Sequence, residues 1–551
     1  MNRNSSSHFS ASDNRINIGR SKFNRNSWTK TTINFGDLVP FYVDEILPGD
    51  TFDMNTSVLA RLSTPKFPTM DNAYLDIYYF FVPARLLWEH WKEFNGENNV
   101  NAWTNTNEYL LPSFDYSLFS YEGEVNPFNF STADYMGIPL DVDNVVSLGS
   151  INFINALPFR AYHLIWNEFF RDQNLQDPIL INTGDSVDSL EFYDLMQLRK
   201  VCKFHDYFTS ALPAPQKGPA VLIPGLEDVP VVTGYLSHGG PYYGLRWRQV
   251  DGTFVGMTTN DGNDLTLSSP ASSAGNNAVF PTNLYTGEAL GATIDSLRTA
   301  FQIQKLLWRD GNSGTRYTEI LRSHFGVVSP DARLQRPEYL GGKRIPLTMT
   351  QVIQQSATPN SEEGAVQTYL GSTGAYSKTT DAFHGFTKSF TEHGYLIGVC
   401  CARTDHTYQQ GINRLWSRRS RFDFYYPELA NIGEQPILNR EIYLQGTAAD
   451  DEVFGYQEAW AEYRYRPSCV TGAFRDTYHN SLGFATYADR YTEQPILSAD
   501  WITEGLENVN KTLIVPGTET DKNQLLLDFY FQLACTRPMP VYSVPGLVDH
   551  F

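Results

Sequence analysis

Apolar and aromatic residues in this chain fall in runs of strand length set apart by Pro, Gly, Asn and Asp, and seldom take helical spacing. Leu38 to Val43, bounded by Pro48 and Gly49, and Ala73 to Val82, bounded by Pro83, are two such runs. The second contains Leu75-Asp-Ile-Tyr-Tyr-Phe-Phe-Val82, whose few polar breaks predict a strand covered on both faces. Further runs at Gly394 to Ala402, Arg421 to Tyr426 and Leu525 to Ala534 predict strands far apart in sequence. Such spacing predicts an antiparallel sandwich interrupted by long insertions, and no repeat of fixed period is visible.

Helical spacing occurs in four places. Pro83 opens a short helix with Leu87, Trp91 and Phe94 on one side. From Pro158, the residues Phe159, Tyr162, Ile165 or Trp166, and Phe169 form an apolar stripe with Arg160, Glu168, Arg171 and Asp172 outside it. Asp295 can cap a helix running to Arg309 and ended by Gly311, and Thr315 can cap another ended by Gly326. Residues 1–35, rich in Ser, Asn and Arg, predict an extended arm without a core of its own. Residues 221–292 carry Gly, Ser, Thr, Asn and Pro with scattered aromatics, the texture of an exposed insertion. The chain thus divides into an arm (1–35), a first β part with helical insertions (36–220), the insertion (221–292) and a second β part with its own helices (293–551).

Composition narrows the function. With 551 residues, 41% hydrophobic, 19% charged and 14% aromatic, the chain can bury a large core. Its formal charge of −19 argues against a surface that grips nucleic acid everywhere. The arm differs: Arg3, Arg15, Arg20, Lys22, Arg25 and Lys30 against Asp13 give it +5 and leave −24 on the rest. It is either a flexible reach towards a polyanion or a leader with incidental charge. Cys202, Cys400, Cys401, Cys469 and Cys535 make no disulfide framework and read as reduced core residues, with Cys400 and Cys401 on opposite faces of one strand. No signal peptide or membrane span is expected, since no basic start precedes an apolar stretch and Leu75 to Trp88 is interrupted by Asp76, Pro83 and Arg85. Folding in the cytosol follows.

Motifs of catalysis are missing: there is no HExxH, no GxSxG, and Gly341-Gly342-Lys343-Arg344 follows Pro337 where a phosphate loop needs Gly. No enzyme activity and no cofactor are expected. The histidines show no zinc spacing, and His163 and His324 read as core or helix-end hydrogen bonders. Asp141-Val-Asp143-Asn144 lacks the Gly and Glu of a calcium loop. Arg414, Arg418, Arg419 and Arg421 around Trp416 form either a single-strand binding surface or an ion-pair cluster with acids such as Asp423 and Glu428. Arg464-Tyr-Arg466-Pro467 carries the same ambiguity.

Four long segments carry a family pattern. They are Leu157-Pro-Phe-Arg-Ala-Tyr-His-Leu-Ile-Trp-Asn-Glu-Phe-Phe-Arg-Asp-Gln-Asn174, Lys203-Phe-His-Asp-Tyr-Phe-Thr-Ser-Ala-Leu-Pro-Ala-Pro-Gln-Lys-Gly218, His324-Phe-Gly-Val-Val-Ser-Pro-Asp-Ala-Arg-Leu-Gln-Arg-Pro-Glu-Tyr-Leu-Gly-Gly342 and Arg537-Pro-Met-Pro-Val-Tyr-Ser-Val-Pro-Gly-Leu-Val-Asp-His-Phe551. In this order they resemble the major capsid proteins of the Microviridae, in the gokushovirus branch. The resemblance implies a mainly β fold, an eight-stranded antiparallel jelly roll with large loop and helical insertions. It implies assembly in the host cytoplasm into a T=1 icosahedral virion shell around circular single-stranded DNA, with a scaffolding protein during assembly and a small basic DNA-associated protein inside. In that setting Arg3, Arg15, Arg20, Lys22, Arg25 and Lys30 face the interior and meet phosphates, with Phe23 and Trp28 available for stacking. The insertion would form the protrusion near the threefold axes, with His238, Tyr242, Tyr243, Asn260 and Asn263 as candidates for contact with a host receptor.

Two other readings compete. A secreted carbohydrate-binding or carbohydrate-active β-sandwich predicts a secretion route and a carboxylate pair across a cleft. A soluble single-strand-binding protein sits poorly with a pI near 5.0 unless binding is confined to the arm.

Overall fold

The apolar runs become strands whose partners lie far away in sequence. The structure, a computed structural model, describes residues 19–97, 108–119, 126–140, 153–219, 294–356 and 370–542, together with short strands between 221 and 286. Its longest strands are β1 (Ser27–Ile33), β2 (Asp37–Ile46), β3 (Thr51–Leu62), β4 (Ala73–Pro83), β5 (Glu338–Pro346), β6 (Thr379–Ser389), β7 (Gly394–Thr404) and β8 (Leu525–Arg537). One sheet runs β1-β8-β3-β6, with Ser21–Asn24 on the far end of β8; the other runs β5-β4-β7-β2, with Arg199–Lys200 beside β2. All these pairings are antiparallel. In chain order β1, β2, β3 and β4 pair with β8, β7, β6 and β5, so the chain doubles back as one long ribbon. That ribbon is rolled until β8 also pairs with β3, and β7 with β4.

Alternation of side chains explains why the two sheets face one another. Leu525, Leu527, Phe529, Phe531, Leu533 and Cys535 of β8 all point into one buried cluster with Phe52, Met54 and Val58 of β3 and with Leu75, Ile77 and Tyr79 of β4. Phe41 of β2 stacks on Phe529 across the sandwich at 4.4 Å. The other face of the second sheet is covered as well. There Phe80 and Val82 of β4 meet helix α1 (Leu157–Ile165) through Leu157, Ala161, Tyr162 and Ile165. The largely apolar run of β4 is therefore a strand buried on both sides, as its composition predicts. Cys400 faces the sandwich and Cys401 the helix layer, both free thiols. At one corner the backbones come very close: a Cβ on Gly341 of β5 would lie 2.1 Å from the Gly385 carbonyl oxygen of β6, and both strands bulge there.

Several local expectations need correction. Within the arm, the described residues already form strands, because Ser21–Asn24 and Ser27–Ile33 hydrogen-bond to β8; those partners lie some 500 positions downstream, beyond any local pattern. The segment after Pro83 forms two short pieces, Ala84–Leu86 and Trp91–Phe94. Arg160 is buried, since its guanidinium pairs with Glu191 at 2.9 Å and donates to the Leu87 and Gly184 carbonyls. The helix at Asp295 spans Ile294–Ser313, passing through Gly311, and is followed by Gly314 at φ +93°. Arg316 rather than Thr315 precedes the next helix, Tyr317–Phe325, which ends at Gly326 in the left-handed region as expected. Arg421–Asp423 is a 3-10 turn rather than the start of a strand. Cys469 is exposed.

Two compact units emerge: residues 1–215 with 314–551, and residues 216–313. The second contains short strand pairs, such as Trp247–Gln249 with Val279–Pro281 and Val231–Thr233 with Leu284–Thr286, and the helix Ile294–Ser313.

Phe529 is wholly buried and stacked, so Phe529→Ala should cost about 3–5 kcal/mol. Chemical denaturation of the purified chain measures this; a loss below about 1 kcal/mol would mean that β8 does not hold the sandwich together.

Candidate nucleic-acid interface

The basic arm residues are placed by the outer face of the sheet β1-β8-β3-β6. Because side chains alternate, Trp28 and Lys30 of β1 stand away from the core, opposite Tyr530 and Asp528 of β8. Trp28, 64% exposed, stacks on Tyr530 with ring centroids 4.7 Å apart. Lys30 pairs with Asp528 at 3.2 Å. Beside them lies a groove of about 550 Å³ whose lining includes Trp28, Leu59, Thr380, Asp381 and Tyr530. An aromatic wall beside hydroxyl and carboxylate groups can stack a base, but the groove itself carries no surplus positive charge.

The remaining candidates separate by their partners. Arg25 holds Asp44 at 2.5 and 3.1 Å, and this bond raises its pKa against the opposing effect of burial. Arg20 and Lys22 are exposed at the start of the described chain. Arg3 and Arg15 lie outside the described residues, as do His238, Tyr242, Tyr243, Asn260 and Asn263 of the insertion and the segment Asp141–Asn144. Thus the structure brings Trp28 and Lys30 to one sheet face, and neutralises Lys30 and Arg25 with carboxylates of the same chain.

The second basic cluster is mostly an internal ion-pair network. Arg414 reaches Glu441 at 2.8 Å, and Arg418 reaches Glu462 at 2.9 Å while lying 4.3 Å over the Tyr463 ring. The acids are therefore Glu441 and Glu462, brought from other segments, and not the nearby Asp423, which accepts the backbone N–H groups of Arg419 and Ser420 at 2.7 and 2.6 Å. Arg464 pairs with Glu458 at 2.5 Å. His163 is buried against the Leu195 carbonyl at 3.1 Å, and burial pushes its pKa down to about 3, so it is a neutral core residue.

A buried charge cluster escaped the sequence reading altogether. His406 sits between Asp489 at 2.9 Å and Glu504 at 2.9 Å, and Asp489 also faces Lys203 at 3.6 Å and accepts from the Tyr491 hydroxyl at 2.9 Å. Burial alone would lower the His406 pKa, but the two carboxylates override it and raise the value to about 10. Burial likewise works against the Asp489 carboxylate, and Lys203 and His406 override it, holding the carboxyl well below its usual range. These four residues are spread from position 203 to 504, so no short motif could announce them. Among the described residues no group of three His, Cys, Asp or Glu side chains is arranged to hold a metal ion, and no helix is long and apolar enough to cross a membrane.

A two-sheet sandwich with long excursions, in which many charges pair with one another and aromatics such as Trp28, Trp416 and Phe422 stand exposed, has the make-up of a structural protein that works through its surfaces. The chain belongs to the phage capsid protein family (F protein), whose sequence model matches residues 12–547. It is 42% identical to capsid protein VP1 of Bdellovibrio phage phiMH2K, over 97% of each chain. It is 38% identical to capsid protein VP1 of Chlamydia phage 1 and 36% identical to that of Spiroplasma virus 4, over 96% of each chain in both cases. The resemblance of the four segments to Microviridae capsid proteins therefore holds over the whole length, and the protein is a virion component of a bacteriophage that assembles with other copies.

The buried cluster sets a pH dependence. With its folded pKa above the ordinary 6.5, His406 stabilises the fold in full below about pH 6.5, and that contribution is lost as pH rises through about 10. Asp489 acts in the opposite sense, its contribution being present above its ordinary 3.8 and lost as pH falls below it. The unfolding temperature should therefore decline between about pH 6.5 and pH 10. His406→Ala should remove roughly 3–5 kcal/mol near pH 6 and flatten this decline. An unchanged slope in the variant would exclude His406 as its source.

Proposed function

We propose that this chain is the major capsid protein of a small bacteriophage and that its copies close a T=1 icosahedral shell around circular single-stranded DNA. One observation carries the reading: full-length kinship with phage capsid proteins coincides with a ribbon of strands rolled into two facing sheets. That order, β1 to β4 paired in turn with β8 to β5, supports an eight-stranded jelly roll, a fold suited to shells because its strand ends release long loops towards neighbours. The shell is assembled in the host cytoplasm with a scaffolding protein.

Electrostatics assigns the inner side. A chain of charge −19 cannot hold a polyanion by its general surface, so the cations must come from the arm and from a small basic internal protein. Arg3, Arg15, Arg20 and Lys22 supply phosphate contacts, Trp28 offers a stacking face, and Arg25 and Lys30, already held by Asp44 and Asp528, contribute less. The insertion 221–292 forms the outer protrusion and meets the host receptor, with His238, Tyr242, Tyr243, Asn260 and Asn263 as contact residues.

Electron microscopy of the chain co-expressed with the scaffolding and internal proteins of its phage, combined with nuclease protection, tests this reading. Closed particles that protect DNA are expected, with R20Q/K22Q lowering protected DNA per particle more than R25Q. Soluble monomers at high concentration, or equal DNA content in all variants, would contradict the shell and arm assignments respectively.

A further inference from the structure

Between β7 and β8 the chain has an unusual surface. From Asp405 to Asn510 it contains nine arginines and no lysine. Within that stretch, Leu415 to Ile432 is irregular, held by the short turns Arg414–Trp416, Arg421–Asp423 and Pro427–Leu429. Trp416 and Phe422 are 74% and 75% exposed, and Leu415, Phe424, Tyr425 and Ile432 are exposed beside them. Arg418 is consumed by Glu462, whereas Arg419 and Arg421 are exposed on the same segment. Aromatic side chains and arginine without lysine are the composition of the buried centre of a protein interface, and apolar patches of this kind rarely stay uncovered.

A second surface has the complementary character. From Asp172 to Leu198 there are six acidic residues and no Arg or Lys. Helix α2 (Ser189–Met196) buries Phe192, Leu195 and Met196 in a local cluster and leaves Leu190 and Tyr193 exposed. Leu180, 95% exposed, precedes it, and Asp177, Asp188 and Asp194 are exposed around these apolar side chains. Each face is thus apolar at its centre; the second carries carboxylates alone, and the first can meet them with Arg419 and Arg421, since Asp423 is turned back onto the Arg419 and Ser420 amides and Glu428 is the one other acid on the segment.

We infer that the arginine-aromatic face, Leu415 to Ile432, packs on the acidic-apolar face, Asp177 to Asp194, of a second copy of this chain. The inference rests on the shell reading and adds which surfaces meet. Two different patches joined head to tail form a heterologous contact, the kind that closes rings around a symmetry axis. Opposite charges at its rim set orientation and reject the self-pairing of two arginine faces.

Charge exchange in the full chain, co-expressed with the scaffolding and internal proteins, tests the pairing. R419E/R421E and D177R/D194R should each lower particle yield, seen by electron microscopy and sedimentation, at least tenfold while leaving the unfolding temperature of the subunit near that of the parent chain. The quadruple variant, with both faces reversed, should restore assembly to within about threefold of the parent. Undiminished yield in either double variant, or no recovery in the quadruple variant, would overturn the pairing even though the parent chain forms shells. A parent chain that forms no particles at all would instead overturn the shell reading on which the pairing rests.

Discussion

Strand β8 is the element that the other strands depend on. It lies between β1 and β3, so residues 525–537 close a sheet whose other strands were laid down within the first 62 positions and at 379–389. Alternate side chains from Leu525 to Cys535 fill the space between the sheets, and the Phe41–Phe529 stack joins one sheet to the other. Hydrophobic burial drives this closure, and the antiparallel ladder fixes its register, since a slip of one residue would turn Phe529 and Phe531 towards solvent. The price is slow, long-range closure, because β8 can pair only after both long excursions have been accommodated.

Those excursions, between β4 and β5 and between β7 and β8, are tied together by charge as well as by packing. Lys203 belongs to the first, and His406, Asp489 and Glu504 to the second; all four are buried together. Asp76 of β4 acts similarly within the sheet, pairing with Arg344 of β5 at 2.7 Å and with Arg403 of β7 at 2.5 Å. Such buried charges tolerate no loss of a partner, which makes them registers for how irregular segments return to the sandwich. Meanwhile Arg25 and Lys30 are neutralised locally, whereas Arg20 and Lys22 are exposed ahead of β1.

The sequence was legible where burial was strong and local. The run of β4, the alternation of β8 and the stripe of α1 announced themselves, because each buries a face with a fixed period. The four quoted segments made the family readable, and the comparisons bear that out over nearly the whole chain. What local reading missed depends on distant partners. The strands within the arm need β8, Arg160 is buried with Glu191 and the Leu87 and Gly184 carbonyls as partners, and Glu441 and Glu462 rather than Asp423 answer the arginines near Trp416. The His406 cluster is the extreme case, an assembly of side chains from four separated positions with no spacing signal.

In the proposed shell the chain divides into a sandwich that is complete in one copy and irregular surface that other copies complete. Hydrogen exchange followed by mass spectrometry, compared between dissociated subunits and assembled particles, tests that division directly. Amides of β3, β4, β7 and β8 should be equally protected in both states, while Leu415 to Ile432 and Asp177 to Asp194 should gain protection only in particles. Strands that become protected only on assembly, or irregular segments that exchange alike in both states, would contradict it.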